Sequence, residues 1–197
     1  MTIEHPMVSA QTYINKGRAL QELGITDSVY IYCDKAREFC NSLPYNSGMV
    51  DVDLLHGIYL TGKGGDAMHL GIQELQNVTQ QGTLTNQAKA FHQLAQTYLK
   101  SGNSKVAEIM LDNMYSLLSE GESTIFINID YEPILDYYFK CGNAKKTEQY
   151  VRLMLQEQQI LKEKKLNYNL VEAIVDQQTE QKKQELRIAS LIQTTQR

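Results

Sequence analysis

The sequence predicts an all-α protein in which antiparallel helical hairpins are stacked side by side. Only 3 of the 197 residues are proline, which breaks helix interiors, whereas good helix formers such as leucine, glutamine and glutamate are common. An apolar residue followed by tyrosine four positions later recurs along the chain at a period of about 40 residues. A glycine follows each copy where a helix should end.

The clearest copy of the repeat covers residues 90–118. Leu94 and Tyr98 lie four positions apart and therefore share one face of its first helix. Gly102 then ends that helix, since glycine readily takes the left-handed conformation found at helix ends. The second helix has an apolar stripe made of Ala107, Leu111 and Met114. These features predict two antiparallel helices whose apolar faces meet.

Two further copies flank this one. The later copy turns at Gly142 and carries the series Ile134, Tyr138, Thr147, Val151 and Met154. The earlier, weaker copy carries the series Leu55, Tyr59, Met68, Ile72 and Leu75. In that copy an insertion that moves Gly71 into the place of Met68 would supply the small residue that the clearest copy has there. The recurrent tyrosines are predicted to be core residues rather than ligand-stacking groups.

A more degenerate hairpin is predicted before these copies. Its first helix covers 9–23 and ends at Gly24, and its second is capped by Thr26 or Asp27 and ends before Pro44. The predicted connections lie near 44–50, 80–85 and 119–129. The predicted hairpins therefore cover about 9–43, 50–79, 86–118 and 130–160.

The segment before the last hairpin needs a separate interpretation. Residues Thr124–Ile129 alternate in a way that resembles a strand, but a lone strand would have no partner. We assign the segment to a loop or a helix start. Asp130 is the expected cap of the next helix, with Pro133 in its first turn.

The chain changes character near its end, where residues 169–197 contain no helix breaker. The first apolar residues of this segment are expected to pack on the preceding hairpin, namely Leu170, Val171, Ile174 and Val175. Residues 176–185 contain no apolar side chain and cannot be buried. Apolar residues then return near heptad spacing over 186–192, which indicates the start of a coiled coil. We therefore divide the chain into a repeat array over 1–168 and a C-terminal helix over 169–197 that is available for homodimerisation.

Residues 51–155 resemble the tetratricopeptide-repeat (TPR) family in the Leu-x-x-x-Tyr spacing, the glycine turn and the small Ala107 before Leu111. They depart from it in lacking an opening tryptophan and a closing proline, and in a repeat longer than about 34 residues. The resemblance implies a superhelix whose concave surface, lined by the first helix of each hairpin, binds a protein or peptide segment. On that surface it places Asp53, Leu60, Thr61, Lys89, His92, Gln96, Lys100, Glu132, Asp136, Phe139 and Lys140.

The tail adds a second resemblance. A TPR array followed by a Gln/Glu/Lys-rich helix with Glu185-Leu-Arg-Ile-Ala-Ser-Leu191 is similar to the extracytoplasmic half of bacterial membrane-bound transcriptional regulators and histidine kinases. This resemblance implies a periplasmic sensory module, tethered through a membrane helix in a continuation beyond Arg197. The alternative is a free-standing cytoplasmic adaptor whose C-terminal helix is an ordinary amphipathic one.

Composition argues against several other classes. The net charge of −4 and the pI near 5.6 give no basic footprint for nucleic acid or for an anionic membrane surface. No run of 18 apolar residues is present, and the N-terminus lacks the pattern of a signal peptide. The three cysteines, Cys33, Cys40 and Cys141, have the spacing of neither a disulfide framework nor a zinc site.

The candidate chemical sites each have a simpler structural explanation. Gly62-Lys-Gly-Gly-Asp66 lacks the spacing of a phosphate loop and falls in an interhelical turn. His56, His69 and His92 show no metal-ligand spacing. Asp51 and Asp53 are expected to be the cap and first-turn acids of a helix. We therefore predict a binding module without enzyme activity, cofactor or metal.

Overall fold

The computed structural model describes residues 5–44, 48–120 and 129–195, with the side chains of the last helix described as far as Asn169 and at Gln177. All regular structure in these ranges is helical. One 3₁₀ turn covers Thr26–Ser28. The α-helices are α1 (Pro6–Glu22), α2 (Val29–Asn41), α3 (Met49–Lys63), α4 (Gly65–Gln81), α5 (Leu84–Lys100), α6 (Ser104–Glu120), α7 (Glu132–Lys140) and α8 (Ala144–Thr195).

The helices pack as pairs of chain neighbours: α1 with α2, α3 with α4, α5 with α6, and α7 with α8. Successive pairs join through α2 with α3 and through α4 with α5, while α1, α3 and α5 also contact one another. The predicted all-α superhelix of antiparallel hairpins is confirmed. We call the side formed by α1, α3, α5 and α7 the inner face.

The glycine turns end the first helix of the last two hairpins as predicted. At Gly102 the backbone has a φ of 76°, and at Gly142 a φ of 66°, both in the left-handed region that glycine takes without strain. The amide of Asn103 donates to the carbonyl of Tyr98 at 2.8 Å, and the corresponding bond after Gly142 is 3.0 Å long. These bonds satisfy carbonyl groups that a helix end would otherwise leave unpaired.

The core is continuous along the stack because each of its three clusters shares a helix with the next. The first cluster joins α1, α2 and α3, the second joins α3, α4 and α5, and the third joins α5 to α8. The recurrent tyrosines belong to this core. Tyr59 is 7% exposed and Tyr138 only 1%, while Tyr98 packs against the second cluster. The interpretation of these tyrosines as core residues is confirmed.

Helices α3 and α4 cross closely at two glycines. A Cβ added to Gly71 would lie 2.9 Å from the carbonyl oxygen of Gly57 and 2.9 Å from the Cβ of Leu60. This contact fixes the register of the two helices, because only a residue without a side chain allows it. The buried stripe of α4 is therefore Gly71, Leu75 and Val78. Leu75 of the predicted stripe is buried and Ile72 packs partly buried against the second cluster, but Gly71 rather than Met68 takes the close-packed position, as the insertion predicts.

The start of α2 differs from the prediction. Thr26 and Asp27 belong to the 3₁₀ turn, and neither side chain caps a helix. The turn runs directly into α2, and the amide of Val29 donates to the carbonyl of Thr26. The backbone thus supplies the bond that the predicted side-chain cap would have made.

The start of α3 also differs. The helix begins at Met49, so Asp51 lies inside its first turn and does not cap it. The Asp51 carboxylate instead accepts from the Arg18 guanidinium at 2.8 Å and from the Asn86 amide at 3.3 Å. It therefore ties α3 to α1 and α5 on the inner face.

The last hairpin begins near the expected place, although Tyr131 rather than Asp130 is the N-cap of α7 and no side chain caps the helix there, and it does not end as expected. The Asp130 carboxylate accepts from the amide of Glu132 at 3.2 Å, and Pro133 lies in the first turn of α7. Helix α8 then continues for 52 residues. The predicted separation between a helix ending near 160 and another starting at 169 is wrong, because no proline or glycine interrupts 144–195.

Several predictions about the tail and the preceding loop concern residues outside the described part. The expected contacts of Leu170, Val171, Ile174 and Val175, and the heptad over 186–192, involve side chains that are not described. Of the strand-like segment, only Ile129 is described, and it is 8% exposed in the third core cluster. Among the described helices none is long and apolar enough to cross a membrane.

Candidate binding surfaces

Two adjacent depressions follow α5 along the inner face. The first, which we call the α1–α5 groove, has a volume of about 310 Å³ and lies between α1, α3 and α5. The second, the α5–α7 groove, has a volume of about 450 Å³ and lies between the end of α5 and α7. Each groove is lined by both polar and apolar side chains. An extended chain segment could lie along both grooves because they share one helix.

The α1–α5 groove brings together Lys89 and His92, which the sequence placed on the binding surface, with Arg18 and Glu22. Burial lowers the pKa of Lys89, and the nearby Arg18 guanidinium lowers it further. Arg18 is itself held by Asp51. The Lys89 ammonium is therefore poorly solvated, and a carboxylate entering the groove would stabilise it.

His92 lies at the border between the two grooves. Its Nε2 atom is 3.1 Å from the carbonyl oxygen of Asp130. The side-chain amide nitrogen of Gln96 lies 3.2 Å from the same Nε2 atom, so the tautomer of the ring decides whether Nε2 donates to the Asp130 carbonyl or accepts from Gln96. Burial lowers the pKa of His92, so the ring remains neutral at neutral pH. His92 thus joins α5 to the residues before α7 rather than presenting a charge.

The α5–α7 groove brings together four more of the predicted residues, Gln96, Lys100, Asp136 and Lys140. The ammonium of Lys140 donates to the Asp136 carboxylate at 2.6 Å. Both side chains are exposed, so this ion pair contributes little to stability. Either side chain can therefore leave the pair to contact a bound partner. Lys100 is exposed at the end of α5. The groove thus offers ammonium groups that a bound segment can reach.

Three predicted surface residues lie inside the stack. Leu60 belongs to the first core cluster. The Thr61 hydroxyl is buried, where it bonds to the carbonyl of Gly57 and accepts from the Gln93 amide, each at 3.0 Å. Asp53 faces α2, with its carboxylate 3.4 Å from the Arg37 guanidinium. The placement of these three on the concave surface is wrong, because their side chains face neighbouring helices: Asp53 faces α2, Leu60 faces α4 and Thr61 bonds to α5.

Asp53 belongs to a network of charged groups between α2, α3 and α4. The Arg37 guanidinium lies 3.3 Å from the Glu74 carboxylate, which in turn lies 2.9 Å from Nδ1 of His56. Burial raises the pKa of Asp53, and the neighbouring Glu74 adds to this effect. The network connects the first two hairpins. Its members are spread over 37 residues of sequence with no shared spacing, so sequence reasoning could not find it.

The remaining two predicted residues, Glu132 and Phe139, line a third depression with Asp136 at the end of the stack. We call it the end groove: it lies between α7 and the first part of α8 and has a volume of about 730 Å³. Phe139 at its edge is 77% exposed. The floor is apolar and includes three residues that we did not predict as surface residues, Leu135, Val151 and Met154.

No chemical site emerges from the cysteines or the acidic residues. Cys33 and Cys40 are buried, and burial raises the pKa of Cys33 to about 12. Cys141 is exposed. In the described ranges no group of three or more histidine, cysteine or acidic side chains could hold a metal ion. The Gly62–Asp66 stretch forms the turn between α3 and α4, with Gly64 as its only non-helical residue.

Comparison with known proteins gave no match to a family model, to a curated protein or to a solved structure. The three grooves and the residues that line them are therefore the basis for a functional assignment.

Proposed function

We propose that the protein is a non-catalytic, TPR-like module that binds a protein or peptide segment along its inner face. One observation carries this proposal. Six of the eleven residues expected on the binding surface line the two adjacent grooves along α5, namely Lys89, His92, Gln96, Lys100, Asp136 and Lys140.

The spacing and charge of these residues indicate the class of partner. Lys89 and Lys100 are 11 positions apart on α5, which is about 16 Å along the helix axis. An extended segment of about five residues covers that distance. Both grooves are lined by charged, polar and apolar side chains, so a polar segment with acidic residues fits them better than an apolar ligand does. An acidic side chain near Lys89 would restore the solvation that burial removes.

Two biological roles suit such a module. The first is the sensory part of a bacterial signalling or transcription-regulator protein, located in the periplasm. The uninterrupted α8 favours this role, because a helix of 52 residues is about 78 Å long and can carry a signal away from the stack. The second is a free-standing cytoplasmic adaptor. A stretch of about 20 apolar residues encoded soon after Arg197 in the parent gene would support the first role, and a stop codon there would exclude it.

Charge reversal on α5 tests the binding proposal. Peptides would be selected from a random displayed library on the full chain, and their affinities measured by fluorescence anisotropy. The double variant Lys89→Glu and Lys100→Glu should bind the selected peptides at least about tenfold more weakly, because both ammonium groups are replaced by like charges.

The matched control reverses the charge of two exposed lysines outside the inner face, through Lys105→Glu and Lys145→Glu. It changes the net charge by the same amount. The control should bind as the unmodified chain does, and both variants should keep the same helical circular dichroism. Equal affinities for the control and the α5 variant would contradict the proposal.

A further inference from the structure

The end groove occupies the place where a further helix would pack in this stack. The repeat offset of 40 residues relates Leu135, Val151 and Met154 of the last hairpin to Ala95, Leu111 and Met114 of the hairpin before it. Those earlier residues are all fully buried, in the core cluster that α7 and α8 complete. The later three are only partly buried, because no described element covers them.

The rim of the end groove is acidic. Asp130, Glu132, Asp136 and Glu157 line it, and no lysine or arginine does. The Glu157 carboxylate is bonded to the Tyr131 hydroxyl at the base of the groove. An apolar floor with an acidic rim fits an exposed helix that carries both apolar and basic side chains.

Such a helix is present in the chain itself. On α8 the side chains that line the end groove are Thr147, Val151, Met154, Glu157, Gln158 and Leu161. The same face continues, at helical spacing, with Lys165 and Tyr168, and Lys162 and Lys164 lie beside it. All residues from Leu161 to Asn169 are exposed, including Leu166 and Tyr168 at 70% and 71%. This part of α8 is an exposed helix that carries three lysines together with the apolar residues Leu161, Leu166 and Tyr168.

We propose that the end groove binds residues 161–168 of helix α8 from a second copy of this chain, in a two-fold symmetric dimer. In a two-fold dimer each copy offers the same groove and the same helix, so both contacts form together. Antiparallel α8 helices that cross near Gln158 bring residues 161–168 of one copy over residues 148–155 of the other, beside its helix α7. The three lysines then lie beside the acidic rim of the partner copy.

The end groove shares part of its rim with the inner face, because Asp130 and Asp136 also line the α5–α7 groove. The lysines that we assign to partner binding on α5 do not line the end groove, and Lys162, Lys164 and Lys165 line neither groove of the inner face. Reversal of those three lysines therefore tests self-association without altering the peptide surface, and reversal of Lys89 and Lys100 tests peptide binding without altering the end groove.

The experiment measures the oligomeric state of the full chain by sedimentation equilibrium. We expect the dimer to form as the protein concentration is raised to about 100 µM, and its affinity to fall as salt is added. Reversal of the basic patch (Lys162→Glu, Lys164→Glu and Lys165→Glu) should weaken dimerisation at least about tenfold. Reversal of the rim (Asp130→Lys, Glu132→Lys and Asp136→Lys) should do the same.

The decisive step is to mix the two variants. In a heterodimer of the two variants, the acidic patch of the first variant contacts the basic rim of the second, and the native basic patch of the second contacts the native acidic rim of the first. Both contacts are again between opposite charges, so a one-to-one heterodimer should form with the affinity of the unmodified dimer. The control Lys16→Glu, Lys35→Glu and Lys105→Glu, at three exposed sites away from the groove, should dimerise normally. The proposal would be overturned if the unmodified chain stayed monomeric throughout the concentration range. It would also be overturned if both reversals left the dimerisation affinity unchanged, or if the mixed variants formed no heterodimer.

Discussion

At the scale of single residues, the glycines show where the fold leaves no space for a side chain. Gly71 faces the α3 backbone, and a Cβ there would also lie 2.9 Å from the amide nitrogen of Thr61. Backbone atoms cannot move aside as a flexible side chain can. By contrast, Gly62 is helical and has no other atom within 4 Å of its Cβ position. The two positions of α3 and α4 should therefore respond oppositely to the same change.

Gly71→Ala should lower the free energy of unfolding by about 2 kcal/mol, because the added methyl group forces the two helices apart. Gly62→Ala should raise it by about 0.5 kcal/mol, because alanine loses less backbone entropy in a helix. Urea denaturation followed by circular dichroism measures both values. A Gly71→Ala protein as stable as the unmodified chain would show that the helices do not cross at this glycine.

At the scale of elements, two stacked tyrosines hold the last hairpin on the one before it. The rings of Tyr138 on α7 and Tyr150 on α8 lie 5.6 Å apart and are nearly parallel. The Tyr150 hydroxyl donates to the carbonyl of Leu111 on α6 at 2.6 Å. The Tyr138 hydroxyl is buried and has no hydrogen-bond partner among the described residues. Removal of the two hydroxyls should therefore change the free energy of unfolding by different amounts.

Tyr150→Phe should lower the free energy of unfolding by about 1 kcal/mol, since it leaves the Leu111 carbonyl with one bond fewer in a buried place. Tyr138→Phe should leave stability unchanged or raise it, because it removes an unpaired buried hydroxyl. Both substitutions keep the ring stacking, so each is the control for the other in the same thermal and urea titrations. Equal losses for the two would contradict this account of how α7 and α8 dock.

The elements themselves could largely be predicted from the sequence. Helix ends at Gly102 and Gly142 and the four hairpins follow from local rules of periodicity and glycine placement. The errors arose where a distant contact decides the outcome. The stripe of α4 depends on its crossing with Gly57, and Asp51 is drawn to Arg18, which lies 33 residues earlier. Neither contact leaves a signal at helical spacing.

At the scale of the whole molecule, the residues predicted for the binding surface divide between open grooves and the packed side of α3. The residues taken from α5 and α7 line grooves, because these helices have an open side in this stack. The residues taken from α3 do not, because their side chains face α2, α4 and α5. The end groove could have been anticipated, since Val151 and Met154 repeat Leu111 and Met114 but are not covered by any described element.

The location of a bound peptide tests the central claim, that the inner face is the binding surface, most directly. A peptide selected on the full chain would carry a photoreactive side chain, and mass spectrometry would identify the residues to which it cross-links. We expect the cross-links to fall on α1, α3, α5 and α7, at residues that line the α1–α5 and α5–α7 grooves. Cross-links confined to the outer helices α2, α4 and α6 would contradict the account.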